Sequence, residues 1–196
     1  MVGLLLEWQK TRNLIAASTI PQIWTRHVAD SLQLLDLAPD AKIWVDLGSG
    51  GGFPGLVLAC ALAEKPGAKV HLVESSGKKC AFLQAVVQAA GLPAEVHCQR
   101  IEDFIPAFPG KPDVVTARAL APLPKLLMLV YPLLKRGAKG LFPKGQDVGA
   151  ELTEASKCWT IRYSFVPSRT DARARIVVVE SLESRRNGLP KGRFDP

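Results

Sequence analysis

Four glycines fall within five residues at Gly48 to Gly52, directly after the short apolar segment at 42–47. Neither a helix nor a strand tolerates such a run, because glycine loses more conformational freedom on ordering than any other residue. Glycine does allow positive φ and lets a ligand approach the backbone with no Cβ in the way. The apolar segment reads as a strand, and residues 54–64 read as a helix. A strand, a glycine cluster and a helix in that order make a cofactor loop. A plain βα turn of the same length rarely needs more than one glycine.

The remaining chain supplies the frame for that loop. Strands are expected at 68–73, 94–98, 113–117 and 138–142. Amphipathic helices are expected at 77–90, 123–134 and 147–157. Two further strands, at 159–166 and 175–180, are close enough to form an antiparallel pair. Alternating strands and helices of this kind predict an α/β fold: a parallel sheet with crossover helices. The sum is a seven-stranded, Rossmann-like, mostly parallel sheet with an antiparallel final strand at its edge and helices on both faces. Ligands in such sheets bind beyond the carboxyl ends of the strands, at the switch point. The first forty residues read as a helical extension, with Ile20, Ile23, Trp24, His27, Val28, Ser31, Leu32 and Leu35 at helical spacing. The organisation is therefore 1–40 helical extension, 41–182 cofactor domain and 183–196 basic tail.

Composition bounds the partners. A chain of 196 residues with 47% hydrophobic content suits one domain. No apolar run reaches the ~18–20 residues that cross a bilayer. Met1 to Leu6 is apolar but meets Glu7-Trp8-Gln9-Lys10 at once, so no signal peptide is read and a cytoplasmic location is expected. Cys60, Cys80, Cys98 and Cys158 form no Cys-x-x-Cys pair, and their spacing predicts neither a zinc site nor a disulfide framework. The net charge of +7 suits a polyanionic partner. Part of it gathers near the C-terminus, at Arg169, Arg173, Arg175, Arg185, Arg186, Lys191 and Arg193, and for the last ten residues an ordinary solvated or disordered tail fits equally well.

The segment Gly50 to Gly55 also satisfies G-x-G-x-x-G, a weak match to dinucleotide sites. Two features favour S-adenosyl-L-methionine. Asp46 would repel a pyrophosphate yet can accept hydrogen bonds from the ammonium of a methionine moiety. Little chain is left after the sheet for the second domain of a dehydrogenase. Glu74, at the end of the second strand, can accept bonds from both ribose hydroxyls of either cofactor. Glu102 and Asp103, after the third strand, are the expected neighbours of the adenine.

The run His27-Val28-Ala29-Asp30-Ser31, the loop Asp46 to Gly55, Glu74-Ser75-Ser76-Gly77-Lys78-Lys79 with Phe82-Leu83, Ala117-Arg118-Ala119 and Lys144-Gly145 together resemble the RsmG, or glucose-inhibited division protein B, family. The resemblance spans about Trp8 to Val179. It implies a class I methyltransferase that modifies guanine N7 in the decoding-region loop of 16S ribosomal RNA, acting on that RNA or on the small ribosomal subunit. By the same resemblance, Asp46, Gly48, Ser49, Gly50, Phe53, Glu74, Ser75, Ile101, Glu102 and Arg118 surround the cofactor. His27, Asp30 and Arg118 form the catalytic side, where RNA arrives. Lys78, Lys79, Lys144, Arg173 and Arg175 contact RNA. The chain departs from the family pattern in its short start before Trp8 and in Cys80, where a basic residue is usual.

Guanine N7 already carries a lone pair, so methyl transfer requires alignment and no general base. Arg118 then holds a phosphate or guanine O6, or else forms a structural ion pair. His27 is either functional or a packed core histidine, and Asp30 shares its helix face and could orient it. Phe53 is either core or a cover for the cofactor. Arg173 and Arg175 alternate on one strand and would share a face. A monomer is expected. Three other functions fit parts of the pattern: a methyltransferase for small molecules or proteins, a non-catalytic RNA-binding module, and a nicotinamide oxidoreductase.

Overall fold

The computed structural model describes residues 1–185. Five strands lie parallel: β1 (Ile43–Leu47), β2 (Lys69–Glu74), β3 (Ala94–Cys98), β4 (Val114–Thr116) and β5 (Lys139–Lys144). The pair β6 (Trp159–Pro167) and β7 (Arg175–Ser184) completes a seven-stranded sheet in the order β3-β2-β1-β4-β5-β7-β6. The reversed strand is the last in sequence, as expected, but it is not the edge. β7 runs antiparallel to both β5 and β6, so β6 forms the edge and points the same way as the parallel five. β7 also reaches Ser184, four residues past its expected end. The part of the basic tail beyond Arg185, including Arg186, Lys191 and Arg193, lies outside the described residues.

Alternation along β1 separates two cores. Trp44 faces one with Leu56, Leu58, Phe82 and Leu83; Val45 and Leu47 face the other with Leu127, Val130 and Phe142. The first core is covered by α1 (Val2–Gln9), the irregular segment after it, α2 (Asp30–Leu32), α3 (Gly55–Ala61) and α4 (Gly77–Ala90). The second is covered by α5 (Ile101–Ala107), α6 (Leu123–Lys135) and α7 (Val148–Ala155). Among the described residues, no helix is long and apolar enough to cross a membrane.

The N-terminal extension is broken where one helical pattern was expected. After α1, a 3-10 turn at Ala17–Gln22 contains Pro21, and a π-turn at Trp24–Ala29 leads into α2. The Gln9 amide replaces the missing helical bonds. Its Oε1 accepts from the amides of Leu14 and Ile15 at 3.0 and 3.1 Å, and its Nε2 donates to the Ile15 carbonyl at 2.9 Å. A second correction concerns Arg173. It lies in a turn before β7, where its amide donates to the Asp171 carboxylate at 2.9 Å, so it does not share a strand face with Arg175.

Candidate active site

The glycine loop is tied to the second strand by its own backbone. The amides of Gly48 and Ser49 both donate to the Val73 carbonyl, at 2.9 and 3.1 Å. Gly48 sits at φ 70°, and a Cβ there would stand 2.8 Å from a Leu120 methyl, so both conformation and space call for glycine. The Gly50 amide donates to Oε2 of Glu74 at 3.0 Å, and the Ser76 amide donates to Oε1 at 2.8 Å. A carboxylate offers about four acceptor sites, so two remain on Glu74 after these bonds. Glu74 lines a cavity of about 290 Å³ beyond the strand ends, whose walls also include Gly48, Ser75, Ile101, Glu102 and Arg118. Lys79 also reaches this cavity, whereas Lys78 is exposed and lines no described cavity.

Asp46 lies behind the loop and lines neither of the two cavities. It is 1% exposed, and its oxygens accept from Thr116 Oγ1 at 2.9 Å and from the Gly55 amide at 3.2 Å. A Cβ at position 55 would stand 2.6 Å from Asp46 Oδ2, so glycine is needed for that approach. Burial is the dominant influence and raises the Asp46 pKa to about 6, against the lowering by its hydrogen bonds. Ser49 is equally buried and donates to the Asp46 carbonyl at 3.0 Å. Both residues shape the loop from within.

A second cavity of about 400 Å³ adjoins the first and is lined by Arg26, His27, Asp30, Lys144 and Arg175 among others. Arg118 and Ala119 line both. The Arg118 guanidinium donates to the Arg26 carbonyl at 3.1 Å and to Asp30 Oδ2 at 3.3 Å, contacts His27 Nδ1, and lies 5.6 Å from the centre of the Phe53 ring. Arginine has no acceptor, so His27 Nδ1 must accept. The His27 hydrogen then resides on Nε2 and donates to Thr19 Oγ1 at 2.8 Å, while the Thr19 hydroxyl donates to the Ala16 carbonyl at 2.7 Å. Burial, reinforced by the Arg118 charge, lowers the His27 pKa to about 4 and keeps the ring neutral near pH 7. Phe53 is 5% exposed, packs on the His27 ring at 4.8 Å and belongs to the core under the second cavity.

Asp30 is the hub of this wall. Its Oδ1 accepts from Gln33 Nε2 at 2.8 Å, Thr170 Oγ1 at 2.8 Å and Ser168 Oγ at 3.3 Å, while Oδ2 takes Arg118. Lys144 Nζ is held by Glu151 at 2.7 Å and by the Ala121 carbonyl at 2.8 Å. The Arg175 guanidinium donates to the carbonyls of Ala172 and Ala174. The structure thus gathers His27, Asp30, Arg118, Lys144 and Arg175 around one cavity and leaves Arg173 and Lys78 on the outer surface. Ala119, part of the Ala117-Arg118-Ala119 motif but given no role from the sequence, adopts φ 53° at the boundary of the two cavities; sequence reasoning missed Thr19, Gln33 and Thr170, which have no local motif.

The family model described as rRNA small subunit methyltransferase G matches residues 1–177. A protein of Bradyrhizobium sp. (strain BTAi1) named ribosomal RNA small subunit methyltransferase G is 60% identical over 182 residues, which are 93% of this chain and 82% of that protein. A protein of the same name from Methylobacterium sp. (strain 4-46) is 52% identical over 92% of this chain and 85% of its own length. Among solved structures, the O-methyltransferase TomG of Streptomyces achromogenes, in complex with SAM, superimposes with a TM-score of 0.62 at 17% identity, covering 92% of this chain and 87% of that one. An rRNA methylase from Streptococcus thermophilus gives 0.52 at 15% identity, over 74% and 89% of the two chains. These structural likenesses carry the fold.

Proposed function

This chain belongs to the rRNA small subunit methyltransferase G family, and from that premise we propose that it transfers a methyl group from S-adenosyl-L-methionine to guanine N7 of 16S ribosomal RNA. The observation that carries the proposal is the position of Arg118 in the wall shared by two adjoining cavities. The cavity beyond Glu74 suits a nucleoside: its carboxylate retains two acceptor sites for ribose hydroxyls, and Ile101 and Glu102 offer an apolar and a polar edge for the base. When bound there, S-adenosylmethionine supplies an electrophilic methyl group. Membership in a methyltransferase family favours this donor over the nicotinamide that the glycine spacing also allowed.

The second cavity is the entry for the target guanine. Its rim carries Arg26, Lys144 and Arg175, which suit a phosphate-bearing ligand. Arg118 has five donor hydrogens; three are used on Arg26, Asp30 and His27, which leaves two. Arginine commonly binds guanine at O6 and N7 together. Here N7 must stay free to accept the methyl group, so Arg118 is assigned to O6 or to a flanking phosphate. His27 is neutral, already donates through Nε2 and accepts through Nδ1, and serves by holding Arg118. Catalysis on this reading is alignment of the reacting atoms, with no proton to remove.

The test is incubation with labelled S-adenosylmethionine and small ribosomal subunits that lack the modification. The expected result is one labelled nucleoside in 16S RNA, recovered as 7-methylguanosine. Label on another atom, or none in 16S RNA with the cofactor bound, overturns the assignment.

A further inference from the structure

A cluster on the far side of the sheet from the glycine loop's covering helices has no part in this chemistry. β2 and β3 pair His71 with Glu95 in register, and His97 follows two residues along β3. One ligand atom from each of these three residues lies within 4.8 Å of the other two. His71 Nδ1 and His97 Nε2 are 3.0 Å apart, and His97 Nε2 is 3.8 Å from Glu95 Oε1. We propose that His71, Glu95 and His97 form a site for a divalent transition metal, with Zn²⁺ as the best fit.

The distances carry the assignment. Zinc bonds of about 2.0–2.2 Å to imidazole nitrogen and carboxylate oxygen place tetrahedral ligand atoms roughly 3.3 Å apart. Two of the three separations bracket that edge and the third, between His71 and Glu95, is at most 4.8 Å, so side-chain rotations about the existing positions are needed to close the set. Two imidazoles and one carboxylate are also the donor set that zinc accepts while keeping a fourth position for water. Lys69 does not block the site, because it pairs with the other Glu95 oxygen, Oε2, at 2.6 Å. The rings are held in place from behind: Phe108 meets His71 edge-on at 4.9 Å, and Phe104 lies 4.8 Å from His97. One of the two facing nitrogens, His71 Nδ1 or His97 Nε2, carries the hydrogen of their 3.0 Å hydrogen bond, so metal binding requires that ring to move its hydrogen to its other nitrogen. Each ring would carry its remaining hydrogen on the nitrogen facing away from the ion.

The ion would brace the segment that walls the cofactor cavity. Phe104 and Phe108 come from α5 and the residue after it, and α5 begins with Ile101 and Glu102. The Cys-and-His spacing that predicts zinc sites is absent because these ligands meet only through strand register.

The test is chelator-stripped protein titrated with Zn²⁺ alone, followed by calorimetry and thermal melting. Wild type is expected to bind one ion per chain and to melt at higher temperature with it. Glu95→Gln should weaken binding and His97→Asn should abolish the stoichiometric site, with both variants folded by circular dichroism. A Cys60→Ser/Cys98→Ser double variant should bind as wild type does. Unchanged binding in His97→Asn, loss of binding with the cysteines, or no binding in wild type each overturns the proposal. None of these readouts depends on methyl transfer.

Discussion

The Gly50 amide donates to Oε2 of Glu74 across 24 residues of sequence, joining the glycine loop after β1 to the carboxylate that ends β2. One side chain therefore both shapes the loop and lines the cavity proposed for the cofactor. Glu74→Ala should weaken S-adenosylmethionine binding by about 1–3 kcal/mol, the cost of losing a hydrogen bond to a charged group. Glu74→Gln keeps one acceptor oxygen and should lose less. Calorimetry with both variants checks this, and unchanged affinity removes Glu74 from the site.

Arg118 should separate binding from turnover. Arg118→Ala is expected to lower methyl transfer to 16S RNA by about a hundredfold or more while cofactor affinity changes by less than about threefold, as for an interaction made mainly with the acceptor. Arg118→Lys should not restore activity, because an ammonium cannot bond Arg26, Asp30 and His27 while pointing two further donors into the cavity. Equal losses in both measurements would make Arg118 structural.

Asp46 should leave a signature in stability against pH. Its folded pKa, raised by burial to about 6, lies above the value of about 3.9 for an exposed aspartate. The folded state thus holds the proton more tightly, and this contribution is present at low pH and is lost as pH rises from about 4 to about 6. Asp46→Asn can still accept from Gly55 and donate to Thr116. Subtracting its denaturation midpoints from those of wild type should expose a fall across that window. A flat difference would contradict it.

His27 should run the other way. Its folded pKa of about 4 lies below the ordinary value of 6.5. Its contribution to stability is present above about pH 6.5 and is lost as pH falls toward 4. Ring-proton NMR should find no His27 titration between pH 5.5 and 7.5, roughly the range where an unperturbed histidine changes charge. A midpoint near 6.5 would mean that the ring does not accept from Arg118.

The fold was legible because its punctuation is local. Short apolar runs, the glycine cluster and Gly91, which ends α4 at φ 57°, each mark a boundary within a few residues. Glu74 was legible for the same reason, since it ends a strand beside the loop. Asp46 was read from the sequence as an acceptor for the methionine ammonium, whereas it lies behind the loop on Thr116 and Gly55, partners that could be known only once β4 and the loop were in place. The Asp30 hub was not legible, because Thr170 lies 140 residues away and no spacing rule connects them. Ala119 in the left-handed region carries no residue-type mark at all. Arg173 was misread because the Asp171 carboxylate closes a turn over it, a competition that period-two counting ignores.

The Asp30 hub also sets an order on the birth of the site. The last residue that walls the cofactor cavity is Leu120, whereas the second cavity needs Ser168, Thr170, Arg175 and Ile176 from the closing hairpin. A chain emerging from a ribosome therefore presents every wall residue of the cofactor cavity long before it can hold Asp30 and Arg118 in their final frame. The segment met first in synthesis, around His27 and Asp30, waits on the one met last. If the second cavity takes the acceptor as proposed, competence toward it arrives only when the final hairpin docks, and a prematurely terminated chain lacks that pocket whatever its affinity for the methyl donor.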